Sequence, residues 1–297
     1  MKIDGVFSGG GVKAFAYIGV LDSLQENNLQ LERVAGTSAG AIIASLVAAG
    51  FELEEIQGLV EKLRLTQFVD PPIVTKYLPF TKWLFLYTML GINKGDKMEE
   101  WLTIQLASKN IHTFHDIKPG YLKVVVSDLS LGKLIVIPDD LEKVYGIQPE
   151  YFPVAKAVRM SAGFPFFFMP KKLPGLYKKK SVMVDGGLLS NFPLWIFDNE
   201  SEKKQRPLLG VKLTDGINED IGPRDIKNAL DMFQALFSTM KQAHDSRYIA
   251  KNQMQNIMIV PVKDTESTDF GISNEKKAAL IQSGKDYAAA FLKHWST

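Results

Sequence analysis

Two strand-like runs, each emptying into a glycine turn and then a helix-length stretch, fill the first fifty residues. Ile3–Ser8 reads as a strand, Gly9-Gly10-Gly11 as a tight turn, and Val12–Glu26 as a helix. Leu31–Ala35 is a second strand, and the small-residue run Ala39–Ala49 a second helix that Gly50 can end in a left-handed conformation. Such alternation commits a chain to a mainly parallel sheet with helices on both faces, because each crossover must return over the sheet. The expected fold is an α/β three-layer sandwich, α/β/α, with a mainly parallel central sheet.

The remainder keeps to this plan with interruptions. Leu53–Leu63 and Lys97–Ser108 read as helices on either side of an irregular, aromatic stretch, Asp70–Gly95. Tyr121–Ser127 and Lys133–Ile137 read as a hairpin, Pro153–Met160 as a helix, and Gly163–Pro174 as a Pro- and Phe-rich connection to the strand Val182–Asp185. A strand at Leu208–Leu213, a long helix over Asp225–Lys251, a strand at Ile257–Val260 and a last helix over Asn274–His294 complete the chain. The polar stretch Asn199–Pro207 is the best candidate boundary, yet the strand after it is expected to rejoin the same sheet, so residues 1–297 are read as one domain.

Composition narrows the chemistry. The absence of cysteine excludes a disulfide framework, thiolate metal sites and a cysteine nucleophile. With 35 Lys+Arg against 33 Asp+Glu, the net charge of +2 gives no global case for nucleic acid. The longest apolar run, Trp83–Ile92, is broken by Thr88 and Gly91 and is well short of the ~20 residues of a spanning helix. Met1–Gly11 has neither a charged leader with an apolar core nor a small-residue cleavage site, so a cytosolic location is expected.

Three glycine motifs carry the chemistry. Ser8-Gly9-Gly10-Gly11-Val12-Lys13-Ala14 fits G-x-G-x-x-A between a strand and a helix, and has three readings. It could cradle a dinucleotide pyrophosphate, stabilise an oxyanion through its free N–H groups, or merely turn tightly. Its neighbour decides: where a ribose-binding acid should end the second strand stands Gly36-Thr37-Ser38-Ala39-Gly40, a G-x-S-x-G nucleophile elbow in its strand-to-helix context. The only acid nearby, Glu32, comes too early in the strand for a ribose. A serine needs a base, and His112, His115, His244 and His294 are all poorly placed for one. Val182-Met183-Val184-Asp185-Gly186-Gly187 instead sets a carboxylate at a strand's carboxyl end, where catalytic groups of open α/β sheets lie, although Asp-Gly is also a common turn pair.

Together, Gly9-Gly10-Gly11, Gly36-Thr37-Ser38-Ala39-Gly40 and Asp185-Gly186-Gly187 resemble the patatin-like phospholipase family in order and spacing. Ser161-Ala162-Gly163-Phe164-Pro165, Met169-Pro170 and Asn191-Phe192-Pro193 resemble further blocks of that family, so the likeness runs over about residues 3–215, with Thr268-Asp269-Phe270 a weaker echo. The resemblance implies a patatin-like fold and a Ser-Asp dyad without histidine: Ser38 as nucleophile, Asp185 as base, and the Gly9, Gly10 and Gly11 amides as oxyanion hole. Two departures stand out: Ser8 where the family often has Asp, and Lys13-Ala14 where it often has Arg-Gly. Asp is a weak base at its ordinary pKa near ~3.9, and partial burial would improve the match.

The expected activity is that of a serine-dependent lipid acyl hydrolase, of phospholipase A or lysophospholipase type, with no metal or other cofactor required. The alternatives are a nucleotide-binding module built on Gly9–Ala14 and a non-catalytic lipid-binding protein of the same fold. Between Glu150 and Asp185 there is no acid, while Lys156, Arg159, Lys171, Lys172, Lys178, Lys179 and Lys180 give seven positive charges. With Phe164, Phe166, Phe167 and Phe168 in the same stretch, and Trp83, Phe85 and Tyr87 beside Lys82 elsewhere, peripheral contact with a membrane surface is expected. Buried phenylalanines beneath a solvated lysine loop are the competing reading for Phe164–Phe168.

Overall fold

The computed structural model describes residues 1–78, 80–175, 179–197, 206–214, 226–227, 232–233, 235–241, 254–262 and 265–295. Strands β1 (Lys2–Phe7), β2 (Gln30–Thr37), β4 (Leu122–Asp128), β5 (Lys133–Ile137), β7 (Lys171–Pro174), β8 (Lys180–Asp185), β9 (Leu208–Thr214) and β10 (Ile257–Pro261) form one sheet. Its order is β10-β9-β1-β2-β4-β8-β7, with β5 hairpinned onto β4. Neighbours from β10 through β4 run parallel, and β5, β7 and β8 pair antiparallel, so the sheet is mixed and mainly parallel. A separate parallel pair joins β3 (Gly91–Asn93) to β6 (Phe166–Phe168).

The period of two along each strand divides the core. Phe7, Val34, Val124 and Val126 face the larger cluster, into which α1 (Ala16–Glu26), α2 (Ala39–Ala48), α3 (Leu53–Lys62), α6 (Asp96–Ser108) and α7 (Val154–Ser161) send their apolar sides. Val6, Ala35 and Val125 face the other way, onto Phe192, Leu194, Ile196 and Phe197. The C-terminal helix Asn274–Leu292 lies along α1, where Lys285 reaches Asp22 and Glu26 at 2.7 and 2.8 Å.

Three local differences from the sequence reading have physical causes. The segment after the glycine turn does not begin as an α-helix: Gly11–Phe15 is a 3-10 turn and α1 starts at Ala16, because the Lys13 N–H closes tightly onto the Gly10 carbonyl and the Val12 N–H is taken by Ser267. Within the stretch read as irregular lie α4 (Val74–Tyr77), α5 (Thr81–Met89) and β3; α5 has no apolar-polar period to betray it, since its apolar residues surround it. The Pro- and Phe-rich connection contains β6 and β7, whose partners are 75 residues upstream in β3 and downstream in β8. Of the helix expected over Asp225–Lys251, residues 232–233 and 235–241 are helical and the others lie outside the described residues, apart from Ile226 and Lys227.

Candidate active site

The sheet register sets the site. Thr37 of β2 pairs with Val125 of β4, and the next residue of β4, Val126, pairs with Asp185 of β8. Strand β4 therefore holds the end of β2 and the end of β8 at the same level, and the residue after Thr37 meets Asp185. The Ser38 hydroxyl donates to Asp185 Oδ2 at 2.6 Å, a distance typical of a charge-assisted O–H bond.

Ser38 is held in a backbone conformation that side-chain-bearing residues avoid, φ 55° and ψ −127°. Several contacts impose it. Its N–H donates to Ser161 Oγ at 2.9 Å, and Ser161 Oγ donates to the Val125 carbonyl at 2.6 Å, tying the elbow to the middle of β4 through α7. Thr37 Oγ1 donates to the Ser190 carbonyl at 3.0 Å. Helix α2 begins at Ala39 hard against β1: a Cβ on Gly40 would come 2.4 Å from the Phe7 carbonyl oxygen, so glycine is the residue that admits this approach.

Asp185 is buried and accepts a second bond, from the Gly187 N–H at 2.8 Å to Oδ1. Burial pushes its carboxyl up to about 6, against the opposing pull of the Ser38 hydroxyl and the Gly187 amide. The carboxylate is thus ionised at neutral pH yet has a far higher proton affinity than an ordinary Asp.

Gly9, Gly10 and Gly11 curl beside Ser38, and a Cβ on Gly9 would lie 3.1 Å from the Ser38 Cβ. Their amides differ. The Gly9 N–H donates to the Asn191 carbonyl at 3.0 Å, which corrects the expectation that all three amides face an oxyanion. Those of Gly10 and Gly11 have no acceptor among the described residues, and Gly11 has φ +56°. Lys13, on the same turn, is buried, and that burial lowers its ammonium to about 8, with Lys241 nearby acting in the same direction and Glu266 against it.

Ser38, Asp185, Gly10 and Gly11 line a cavity of about 1040 Å³. Lys13, Lys241 and Glu266 line one part of it, and Ile42, Leu46, Val60, Met98, Phe167 and Phe168 give it an apolar body. Leu46 stands eight residues along α2 from Ser38, roughly 12 Å at 1.5 Å per residue. Phe164, Phe167 and Phe168 of the basic segment belong to this wall: Phe167 stacks on Phe270 with centroids 4.9 Å apart, and Phe164 meets Phe237 edge-on at the same separation. Lys171 is engaged with Asp96 and Glu99 at 3.1 and 2.6 Å, Lys172, Lys179 and Lys180 are exposed, and Lys178 lies outside the described residues.

The remaining candidates separate from the site. His112, His115 and His294 are exposed and none lines the cavity, while His244 lies outside the described residues. Glu32, the acid a nucleotide reading would need, pairs with Lys2 and Lys118 near the start of β2, the end away from Ser38. Gly36 is the penultimate residue of β2, and Gly186 and Gly187 follow Asp185 in a 3-10 turn; a Cβ on Gly186 would come 2.2 Å from the Val125 carbonyl oxygen. Sequence reasoning gave no role to Ser161 or to the Asn191 carbonyl. Their only signal was their place in the blocks Ser161-Ala162-Gly163 and Asn191-Phe192-Pro193.

Residues 5–198 match the family described as patatin-like phospholipase. The uncharacterized protein YqhO of Bacillus subtilis is 45% identical over 296 residues, covering 100% of both chains. The cUMP-AMP-activated phospholipase of Escherichia coli is 25% identical over 195 residues, which are 62% of this chain and 54% of that protein. Among solved structures, VipD from Legionella pneumophila superposes with a TM-score of 0.58 at 19% identity, covering 99% of this chain and 67% of VipD. ExoU from Pseudomonas aeruginosa, in its complex with SpcU, gives 0.51 at 18% identity over 98% of this chain and 51% of that one, so these two share the fold. On the match over residues 5–198, the chain belongs to the patatin-like phospholipase family.

Proposed function

We propose that this protein is a serine-dependent lipid acyl hydrolase, a carboxylic ester hydrolase acting on phospholipid or lysophospholipid, with residues 1–297 as one catalytic domain. The observation that carries the reading is the 2.6 Å bond from Ser38 Oγ to the buried Asp185, in the lining of a cavity with a largely apolar body. A fatty acyl chain suits that lining, and the reacting ester would then lie at Ser38.

In this mechanism Ser38 Oγ attacks the ester carbonyl carbon while its proton passes to Asp185 Oδ2. The carbonyl oxygen becomes an oxyanion facing the Gly10 and Gly11 amides, with Gly9 holding the turn through Asn191. Collapse breaks the ester C–O bond, and the departing alcohol takes the proton from Asp185. Water then attacks the Ser38 acyl-enzyme, giving its proton to Asp185. The fatty acid leaves as the proton returns to Ser38 Oγ. Among the described residues no histidine stands behind this base, which fits a carboxyl raised to about 6.

Fluorophosphonate labelling tests the proposal against a non-catalytic lipid binder of the same fold. The expected result is a covalent adduct on Ser38, absent in Ser38→Ala, together with fatty acid release from phospholipid or lysophospholipid by the wild type alone. Lipid binding without adduct or release would favour the binder.

A further inference from the structure

Helix α5 inverts the usual rule for a helix in a water-soluble fold. Six of its nine residues are apolar or aromatic (Trp83, Leu84, Phe85, Leu86, Tyr87 and Met89), yet its one buried residue is Thr81. Trp83 is 72% exposed and Tyr87 85%. With Phe80 and Leu84, also exposed, they occupy positions three, four and seven apart, so they project from one side of the helix. Exposed Ile73 and Tyr77, beside and in the preceding α4, extend the apolar region. A contiguous surface of this kind marks a site of interaction.

Two further observations identify what it meets. Residues 71–95 contain Lys76, Lys82 and Lys94 and no Asp or Glu, so the patch is purely cationic where it is charged. Trp and Tyr on an apolar face with lysine beside them is the composition of an element lying in a lipid interface. The patch is also continuous with the cavity. Chain leaving α5 becomes β3, whose Gly91 and Asn93 pair with Phe166 and Phe168, and the Asn93 amide donates to the Phe167 carbonyl at 3.1 Å. Phe167 and Phe168 wall the same cavity that Ser38 lines. One short ribbon therefore connects the exposed aromatic face to the acyl-chain wall.

We infer that α4 and α5 form the docking surface for a phospholipid bilayer, inserting Phe80, Trp83, Leu84 and Tyr87 into the interface and bringing the cavity mouth to the lipid. The choice of lipid as occupant rests on the hydrolase reading of the Ser38 cavity, but docking is separable from hydrolysis. It is also distinct from attraction through the lysines of residues 151–184, since an apolar face holds in high salt whereas exposed lysines do not.

Co-sedimentation with phosphatidylcholine–phosphatidylserine vesicles, at low and high salt, tests the inference in the full chain carrying Ser38→Ala. That protein should bind at both salts, and adding Trp83→Ser, Leu84→Ser and Tyr87→Ser should weaken binding by more than about 10²-fold, given the apolar area withdrawn from lipid. The same triple substitution with Ser38 intact should hydrolyse a soluble short-chain ester at the wild-type rate while losing activity on vesicles. Should the triple variant fail to fold, Tyr87→Ser alone, at the most exposed position, should still weaken binding measurably. Equal vesicle binding by the substituted and unsubstituted proteins would overturn the inference, as would binding abolished by salt alone. Dimers that Tyr87→Ser dissociates, with vesicles bound by neither form, would assign the face to a second copy instead. Loss of soluble esterase activity in the wild type, with docking intact, would remove the hydrolase reading and leave the lipid surface standing.

Discussion

Ser38 and Asp185, 147 positions apart in the chain, meet along one edge of a single strand: β5 takes the other edge of β4, which pairs Val125 with Thr37 and Val126 with Asp185, and the two side chains close at 2.6 Å. The bond is thus a consequence of sheet register, and it survives only while β2, β4 and β8 keep that register.

Ser38→Ala and Asp185→Asn should each abolish ester hydrolysis while preserving the fold, as judged by an unfolding transition that stays cooperative. Combining them should lower the rate no further, because two groups acting on one proton are not additive. Steady-state rates on a soluble ester for both single variants and the double provide the check. A large rate loss in His112→Ala, His115→Ala, His244→Ala or His294→Ala, with folding intact, would count against the dyad.

The raised Asp185 proton affinity gives activity and stability opposite pH dependences. As the proposed base, Asp185 must be ionised, so kcat/KM should rise with pH through an apparent pKa of about 6 and level off above it. Folded Asp185 holds its proton up to about 6 and the unfolded carboxyl only to about 3.8, so between these values the native state binds more protons. Its contribution to stability is therefore fully present below 3.8 and is lost as pH rises through 6. Asp185→Asn, which keeps an acceptor for the Gly187 amide, escapes that loss. It should be more stable than wild type at pH 8, by on the order of 2 kcal/mol, with the gap closing in acid. Denaturant melts at both ends of the range would expose a gap that fails to narrow.

Ser161 is the positioning residue of the elbow, accepting from the Ser38 N–H and donating to the Val125 carbonyl. Ser161→Ala leaves both groups unpaired beside the strained Ser38 backbone and should cost about 1–3 kcal/mol of stability. Its kinetic signature should be a fall in kcat with KM and the pH midpoint unchanged, since neither the cavity nor Asp185 is touched. An unaltered kcat in the destabilised variant would reduce Ser161 to a structural role.

The parts of this site that local chemistry encodes were legible in the sequence. A glycine on either side of Ser38, with a strand before and an apolar helix after, has few other uses, and Asp185-Gly186-Gly187 at a strand end could be read the same way. What the sequence hid was set by distant partners. The Gly9 amide is spent on Asn191, 182 residues away, so the three glycines are not equivalent donors. Phe167 stacks on Phe270, so a run that could have been a surface patch became the cavity wall. Helix α5 escaped because its exposed face is as apolar as its packed one, leaving no period to read.

The glycine turn provides the remaining test, through two glycines with the same backbone sign and different surroundings. Gly11 has φ +56°, and a Cβ there would come 2.0 Å from the Ser267 carbonyl oxygen, so Gly11→Ala must displace the turn and its amides. Gly50 has φ +77° with nothing within 4 Å of the added carbon, so Gly50→Ala meets only the intrinsic left-handed penalty. Gly50→Ala should lose about 1 kcal/mol of stability and keep full turnover. Gly11→Ala should lose turnover by about 10²-fold or more, the scale of removing an oxyanion donor. Gly10→Ala should fall between them, because its Cβ meets only the Leu213 side chain, 2.7 Å away at Cδ1, which can shift. Full turnover in Gly11→Ala would return the motif to a tight turn and send the search for oxyanion donors elsewhere around Ser38.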